Sequence, residues 1–327
     1  MIVTRTPLRI PLGGGGTDLP SYYTQYGGFL ISAAIDKYIY VTLNKRFEKS
    51  IRVSYSLTEI VNSADEIKHP IVKEALKLLK IDSGIEITSI ADVPSNTGLG
   101  TSSAFTVGLL NALHTYKNEK VNAKDLAEEA CYIEIELLKE PIGKQDQYLA
   151  AFGGIICLDI DRLGTVRVTP MNLSEDALDQ LESNTLIFYT GIKRAASEVL
   201  GSQSKDASLN QDKVIQGMHE IKKIGLEIKE CFEKEDLERF GNLLDLHWQT
   251  KKTLSDKMTK ERIDQWYEIA KKNGALGGKL MGAGGGGFFM FYCNNGKNGF
   301  RKVMEQEKLR EMRFRLDFEG SKVLINI

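Results

Sequence analysis

The run Pro94-Ser95-Asn96-Thr97-Gly98-Leu99-Gly100-Thr101-Ser102-Ser103-Ala104 constrains the fold more than any other stretch, because a glycine-hinged loop there tips directly into a helix. Upstream, Gly84 to Ile90 alternates apolar and polar residues as a half-buried strand does; downstream, Phe105 to Leu113 is nearly all apolar and reads as a buried helix. Thr101 and Ser102 therefore fall at the helix start, where unpaired N–H groups and the positive end of the helix dipole attract an anion. The hydroxyls there can cap the helix, bind a phosphate oxygen or hold a magnesium ion. A capped strand-turn-helix with no ligand is the plainer reading of a short match, and the length of this run favours phosphate.

Other phosphate-binding folds are excluded by context. No segment supplies the Gly-x-x-x-x-Gly-Lys-Ser/Thr of a Walker loop; Asn273 to Leu280 lacks the first glycine and the hydroxyl. Gly282, Gly284 and Gly287 fit Gly-x-Gly-x-x-Gly, but the strand-like Phe288-Phe289-Met290-Phe291-Tyr292 follows where a dinucleotide fold requires a helix. The His-Arg-Asp and Asp-Phe-Gly signatures of protein kinases are missing. With 43 basic and 44 acidic residues, charge gives no case for nucleic acid or an acidic membrane surface, so a small molecule is the expected partner. Met1-Ile2-Val3-Thr4-Arg5 opens no apolar signal core and no segment reaches membrane-spanning length without charges, which leads us to expect a soluble cytoplasmic protein. Cys131, Cys157, Cys231 and Cys293 are dispersed in apolar contexts and read as reduced core thiols. Of the histidines, only His247 beside Trp248 stands out from structural or surface roles.

A chain of 327 residues exceeds one comfortable core, so two domains are expected, 1–180 and 181–327. Strands are predicted at Ile2 to Ile10, Gly28 to Ile35, Tyr38 to Phe47, Gly84 to Ile90, Gly154 to Asp159, Thr165 to Thr169 and Thr185 to Tyr189. Helices are predicted at Ile71 to Leu79, Thr101 to Tyr116 and Ala123 to Leu138, then through Ala195 to Lys272. The end returns to strand-helix-strand, with segments at Gly287 to Tyr292, Gly299 to Glu307, Arg313 to Phe318 and Lys322 to Ile327. The polar, turn-rich Asp161 to Glu182 is the expected neighbourhood of the boundary, and the order fits two α+β layers.

Three ordered segments carry a resemblance: Thr6-Pro7-Leu8-Arg9-Ile10-Pro11-Leu12-Gly13-Gly14-Gly15-Gly16-Thr17-Asp18, the Pro94 to Ala104 run, and Lys279-Leu280-Met281-Gly282-Ala283-Gly284-Gly285-Gly286-Gly287. The chain resembles the GHMP kinases, the small-molecule kinases named for galactose, homoserine, mevalonate and phosphomevalonate. Its Gly-Gly-Gly-Thr-Asp run, and Gly143-Lys144-Gln145-Asp146-Gln147 ahead of Tyr148-Leu149-Ala150-Ala151-Phe152-Gly153-Gly154, look most like the D-glycero-D-manno-heptose 7-phosphate kinases. The resemblance implies an N-terminal mixed-sheet α/β sandwich with a C-terminal ferredoxin-like α+β domain. It also implies ATP and Mg2+ as cofactors, a sugar phosphate as partner, and transfer to an anomeric hydroxyl in the supply of nucleotide-activated heptose. Another acceptor such as fucose or a uronic acid stays open, as do a non-catalytic sensor and the oligomeric state, a homodimer included.

Phosphoryl transfer needs a triphosphate cradle, a magnesium ion, a cation near the transferring group and a carboxylate for the acceptor hydroxyl. Pro94, Asn96, Thr97, Gly98, Leu99, Gly100, Thr101, Ser102 and Ser103 form the expected cradle, with Thr101 as cap and Ser103 as a packing residue. Asp146 falls in the first turn of a short apolar helix, where the dipole alone would favour an acid; the resemblance makes it the catalytic aspartate, kept ionised by Lys144 and Arg9. Asn122 caps the helix to Leu138, whose stripe is Leu126, Ala130, Ile133 and Leu137. Glu134 shares its flank with Ala127 and Leu138 whereas Glu136 sits with Glu129 and Glu140, so Glu134 is the one drawn inward. By resemblance Glu134 and Ser102 are the metal ligands, and Arg9, ending the first strand, assists the acceptor hydroxyl or steadies developing charge. Asp18 is either a sugar-binding carboxylate or the cap of a helix at Leu19 to Tyr23. Gly15 and Gly16 stand where galactokinases carry glutamate and histidine, leaving room and bare N–H groups for a bulkier or phosphorylated sugar. The substrate set is completed by Gly14, Thr17, Lys144 and Gln145, with Lys193 and Arg194, and Lys144 as a third candidate, for the distal phosphate. Gly282, Gly284, Gly285 and Gly286 form a structural loop whose backbone approaches the phosphates or the first loop.

Overall fold

The computed structural model describes residues 1–192, 211–254, 261–282 and 286–327. Its larger sheet is centred on two long apolar strands, β1 (Ile2–Gly13) and β2 (Gly28–Lys45), whose runs of buried residues on both faces require cover on both sides. The predicted break at Asp36 is a bulge inside one strand: Pro7 pairs with Tyr38 and the next residue, Leu8, with Ile35. The sheet continues through β3 (Ile51–Ser54), β4 (Thr58–Val61), β5 (Ile85–Ala91), β6 (Ile155–Ile160) and β7 (Val166–Pro170), in the order β12-β1-β2-β5-β3-β4 with β6 and β7 branching from β2. β12 (Lys322–Asn326) pairs with β1, so the last segment crosses back over the division expected at 180/181.

Helices α1 (Pro20–Tyr26), α2 (Pro70–Leu78), α3 (Thr101–Tyr116), α4 (Ala123–Cys131) and α5 (Gln145–Phe152) belong to this layer. α3 has the predicted bounds and is buried from Ser103 to His114, because its apolar sequence meets the sheet on one side and α4 and α5 on another. Asn122 caps α4 by accepting from the Asp125 N–H, as expected. The helix does not run unbroken to Leu138: a π turn occupies Tyr132–Leu137. The wider turn advances the phase, so Ile133 and Glu134 both face inward while Leu137 leaves the stripe at 39% exposed.

The smaller sheet has the order β11-β8-β10-β9, from β8 (Thr185–Tyr189), β9 (Gly277–Leu280), β10 (Phe288–Tyr292) and β11 (Arg310–Met312). α6 (Glu175–Asn184), capped by Ser174, leads into it through the stretch read as turn-rich. α7 (Gln211–Glu233), α8 (Leu237–Lys252), α9 (Glu261–Lys272) and α10 (Lys297–Gln306) complete the layer. Its own aromatic core joins Phe188, Trp248, Tyr267, Phe289, Phe291 and Phe300. The strand expected at Arg313 to Phe318 is replaced by β11 and a single bridge from Leu316 to Ile35. Side chains take its backbone donors instead: Asp36 accepts from the Arg315 N–H and Glu182 from the Leu316 N–H. All four cysteines are buried thiols. Among the described residues no helix is long and apolar enough to cross a membrane.

Candidate active site

Gly100, in left-handed backbone at φ 75°, turns the loop after β5 into α3. Gly100 is itself the N-cap and no side chain caps the helix, which corrects Thr101 as the cap and leaves the first N–H groups of a 16-residue helix facing the loop. The loop side chains divide by direction. Pro94, Asn96 and Ser102 are exposed, whereas Leu99 is in the core and Thr97 is buried with its hydroxyl on the Pro94 carbonyl. Thr97 and Leu99 can therefore offer a ligand only backbone.

The glycine-rich third segment touches this loop backbone to backbone. A Cβ on Gly98 would stand 2.5 Å from the Met281 carbonyl, one on Gly282 would stand 2.6 Å from Gly98 Cα, and one on Gly287 would stand 2.2 Å from the Thr97 carbonyl. Gly286 packs instead on Ile192. Gly284, Gly285, Lys193 and Arg194 lie outside the described residues.

Arg9 lies within β1 rather than at its end, and it is buried. Its Nε and Nη2 donate to the two Asp146 carboxylate oxygens at 2.7 and 2.8 Å, and its Nη1 to the Gly98 carbonyl at 2.5 Å. One guanidinium thus joins the first-turn aspartate of α5 to the glycine loop. Lys144 does not share this pairing: its ammonium donates to the Gly164 carbonyl at 2.7 Å and lies 3.7 Å from Glu128.

Glu134 is 1% exposed, while Glu136 is solvated, as their flanks predicted. Glu134 accepts from the hydroxyls of Ser103 at 2.7 Å, Thr106 at 2.8 Å and Ser102 at 3.3 Å, and from the Gln147 amide. Ser103 is thus a polar partner, not a packing residue turned to apolar surroundings. Burial pushes the Glu134 carboxyl up to about 6 against the pull of those donors, and Asp146 adds to the rise. Among the described residues no three His, Cys, Asp or Glu side chains converge as a metal cage. The exposed Ser102 hydroxyl beside a buried carboxylate nevertheless suits an ion that keeps few protein ligands and several phosphate or water oxygens, as Mg2+ does. The uncapped α3 N-terminus suits the phosphates.

Asp18 does not cap α1, whose N-cap is Leu19. Its carboxylate accepts from the Gln145 and Gly16 N–H groups at 3.0 Å each, and burial pushes its pKa up. A Cβ on Gly143 would stand 1.9 Å from it, so the bare glycine makes its seat. Gly15 and Gly16 are part-exposed, facing the Gln145 amide and Met218 of α7. Gly14 and Thr17 are buried: Gly14 packs on the Phe29 carbonyl, and the Thr17 hydroxyl bonds the Gly14 and Phe29 carbonyls.

Sequence reasoning did not single out Thr106, Gln147 or Lys251. Thr106 follows Ser102 at helical spacing and Gln147 ends a quoted motif, so both carried a signal. Lys251, in the last turn of α8, donates to the Gly282 carbonyl at 3.2 Å, yet in sequence it looks like any cation facing its own helix C-terminus.

The family descriptions "GHMP kinases N terminal domain" and "GHMP kinases C terminal" match residues 70–154 and 228–305. A D-glycero-alpha-D-manno-heptose 7-phosphate kinase of Campylobacter jejuni is 31% identical, covering 98% of each chain. The L-fucokinase/L-fucose-1-P guanylyltransferase of Bacteroides fragilis is 28% identical over 87% of this chain and 34% of its own length. In fold, the chain superposes on a D-glycero-D-manno-heptose 1-phosphate kinase from Bacteroides thetaiotaomicron with a TM-score of 0.83 at 24% identity, covering 100% of both chains. The chain belongs to the GHMP kinase family and is an ATP-dependent sugar kinase.

Proposed function

We propose that this kinase transfers the γ-phosphoryl group of ATP to the anomeric hydroxyl of D-glycero-D-manno-heptose 7-phosphate, giving the 1,7-bisphosphate and ADP, in the supply of nucleotide-activated heptose. The observation that carries this reading is the end-to-end similarity to the Campylobacter heptose 7-phosphate kinase. The sugar side supports it: Gly15 and Gly16 bring no side chain beside Asp18, which leaves space for a bulky phosphorylated sugar.

Bound ATP supplies the phosphoryl group, and Mg2+ offsets the charge on its phosphates. The α3 N–H groups and the backbone of Gly98 and Gly100 would bind those phosphates, and Ser102 and Glu134 would hold the metal. Asp18 accepts hydroxyl hydrogens of the sugar on the lone pairs left by Gly16 and Gln145. Asp146 takes the proton of the attacking anomeric hydroxyl. Arg9 fixes that carboxylate through two bonds and, through the Gly98 carbonyl, fixes its distance from the loop. Assay of ADP release over free and phosphorylated heptoses, fucose and uronic acids tests the reading. Heptose 7-phosphate is expected to give the highest kcat/KM, and a higher value with fucose would replace it.

A further inference from the structure

α8 brings one more charge to this cleft. Its last turn carries two lysines that the sequence does not distinguish, but they point to different places. Lys252 lies 3.7 Å from Asp264 and over the Tyr267 ring. Lys251 is part-buried, donates to the Gly282 carbonyl at 3.2 Å and, among the described residues, pairs with no carboxylate. Gly282 meets Gly98 of the phosphate loop, so the ammonium stands at the junction of the third glycine segment with that loop, where the charges of Arg9 and Asp18 act on it. Burial, with Arg9 adding to it, lowers its pKa to about 8.

Among the described residues no carboxylate lies close enough to pair with it, and Asp18 acts on it only from farther off. Arg9 already engages both oxygens of Asp146, and Asp18 is committed to two N–H groups. One turn before Lys251 on α8 is His247, fully buried with both ring nitrogens unpartnered among the described residues, and Lys279, 2% exposed, is on β9, which packs against α8. Lys279 is pushed well below its ordinary pKa by burial, by Lys251 and by Arg9, and His247 by burial and by the two lysines. Burial favours the neutral forms of Lys279 and His247, which leaves the part-buried Lys251 ammonium as the charge without a paired carboxylate, and a phosphate dianion is a ligand that pairs with it.

We propose that Lys251 binds a phosphoryl oxygen during the reaction, on a phosphate seated in the cleft beside Arg9. That phosphate is either the transferring group or the acceptor's own phosphate; the second source rests on the sugar-phosphate reading above. Two variants separate charge from tethering: Lys251→Met removes both, and Lys251→Gln keeps a donor for the Gly282 carbonyl without charge.

Steady-state kinetics with heptose 7-phosphate should show kcat/KM falling by about 30- to 100-fold in both variants, the scale of a charge-assisted contact to phosphate. A loss confined to KM for the sugar phosphate assigns Lys251 to the acceptor's phosphate, and a loss confined to kcat assigns it to the transferring group. Calorimetric binding of inorganic phosphate to the protein saturated with MgADP, which needs no sugar, should weaken at least about tenfold in both. If the wild type fails to turn over heptose 7-phosphate, the substrate reading fails and the phosphate titration alone decides Lys251. Phosphate affinity unchanged in Lys251→Met, or wild-type behaviour restored by Lys251→Gln, overturns the proposal.

Discussion

Replacing Gly282 by alanine tests whether the third glycine segment sets the position of the phosphate loop. Gly282 has φ 75°, and the added Cβ would lie 2.6 Å from Gly98 Cα. The left-handed backbone costs about 1–2 kcal/mol in any non-glycine residue. The contact costs more, because two carbons repel until about 3.5–4.0 Å apart, so the loops must part by roughly 1 Å. The Gly98 carbonyl holds Arg9 and Arg9 holds Asp146, so that displacement reaches the proposed catalytic pair, where 1 Å is worth on the order of 100-fold. Gly296→Ala is the control: its φ is 66° and nothing lies within 4 Å of its Cβ, so it bears the backbone cost alone. A coupled assay of ADP release, with thermal unfolding in parallel, should show kcat/KM for ATP about 100-fold lower in Gly282→Ala and near normal in Gly296→Ala. If both variants keep kcat/KM for ATP within about threefold of wild type, the backbone contact does not set the loop and the reasoning is wrong.

Asp146→Asn should lower kcat by about 100- to 10,000-fold with ATP affinity within threefold, read by kinetics and by nucleotide titration; near-normal turnover would remove it as the base. Glu134→Gln should raise the Mg2+ needed for half-maximal activity by about tenfold or more while leaving the melting temperature unchanged or higher, because a neutral amide avoids the cost of burying the charge. His114, between Glu119 at 2.9 Å and Glu129 at 2.7 Å, has its pKa raised, chiefly by the Glu129 bond. Its folded pKa lies above the unfolded value near 6.5, so its stabilisation is complete below that pH and is lost as pH rises through the folded pKa. Melting curves should therefore show His114→Gln costing more at pH 6 than at pH 9, and an equal loss at both would exclude the linkage.

The strand-loop-helix around Gly100 was legible because each part has a local signature, and α3 has the predicted bounds. The choice of Glu134 over Glu136 was legible for a similar reason, since helical phase separates their flanks even across a π turn that the sequence does not announce. What escaped depends on distant partners. Thr17 and Gly14 share a motif with Gly15 and Gly16, and only the approach of Phe29 on β2 sorts scaffold from open site. Lys144 sits beside Asp146 in sequence, yet the hairpin carbonyl of Gly164 claims its ammonium. The strand expected at Arg313 was lost to carboxylates of Asp36 and Glu182, more than 130 residues away. Lys251 carried no signal at all, because its meaning lies in Gly282, Arg9 and Asp18.

The proposed acceptor is a phosphorylated heptose and the proposed reacting oxygen the anomeric one. Phosphorus NMR of the product formed from ATP, Mg2+ and D-glycero-D-manno-heptose 7-phosphate tests both at once. The predicted spectrum gains one sugar phosphate resonance coupled to the anomeric proton, while the 7-phosphate resonance persists and ADP appears in equal amount. A new phosphate on any other carbon, or no product from the 7-phosphate under conditions where a free sugar reacts, would contradict it.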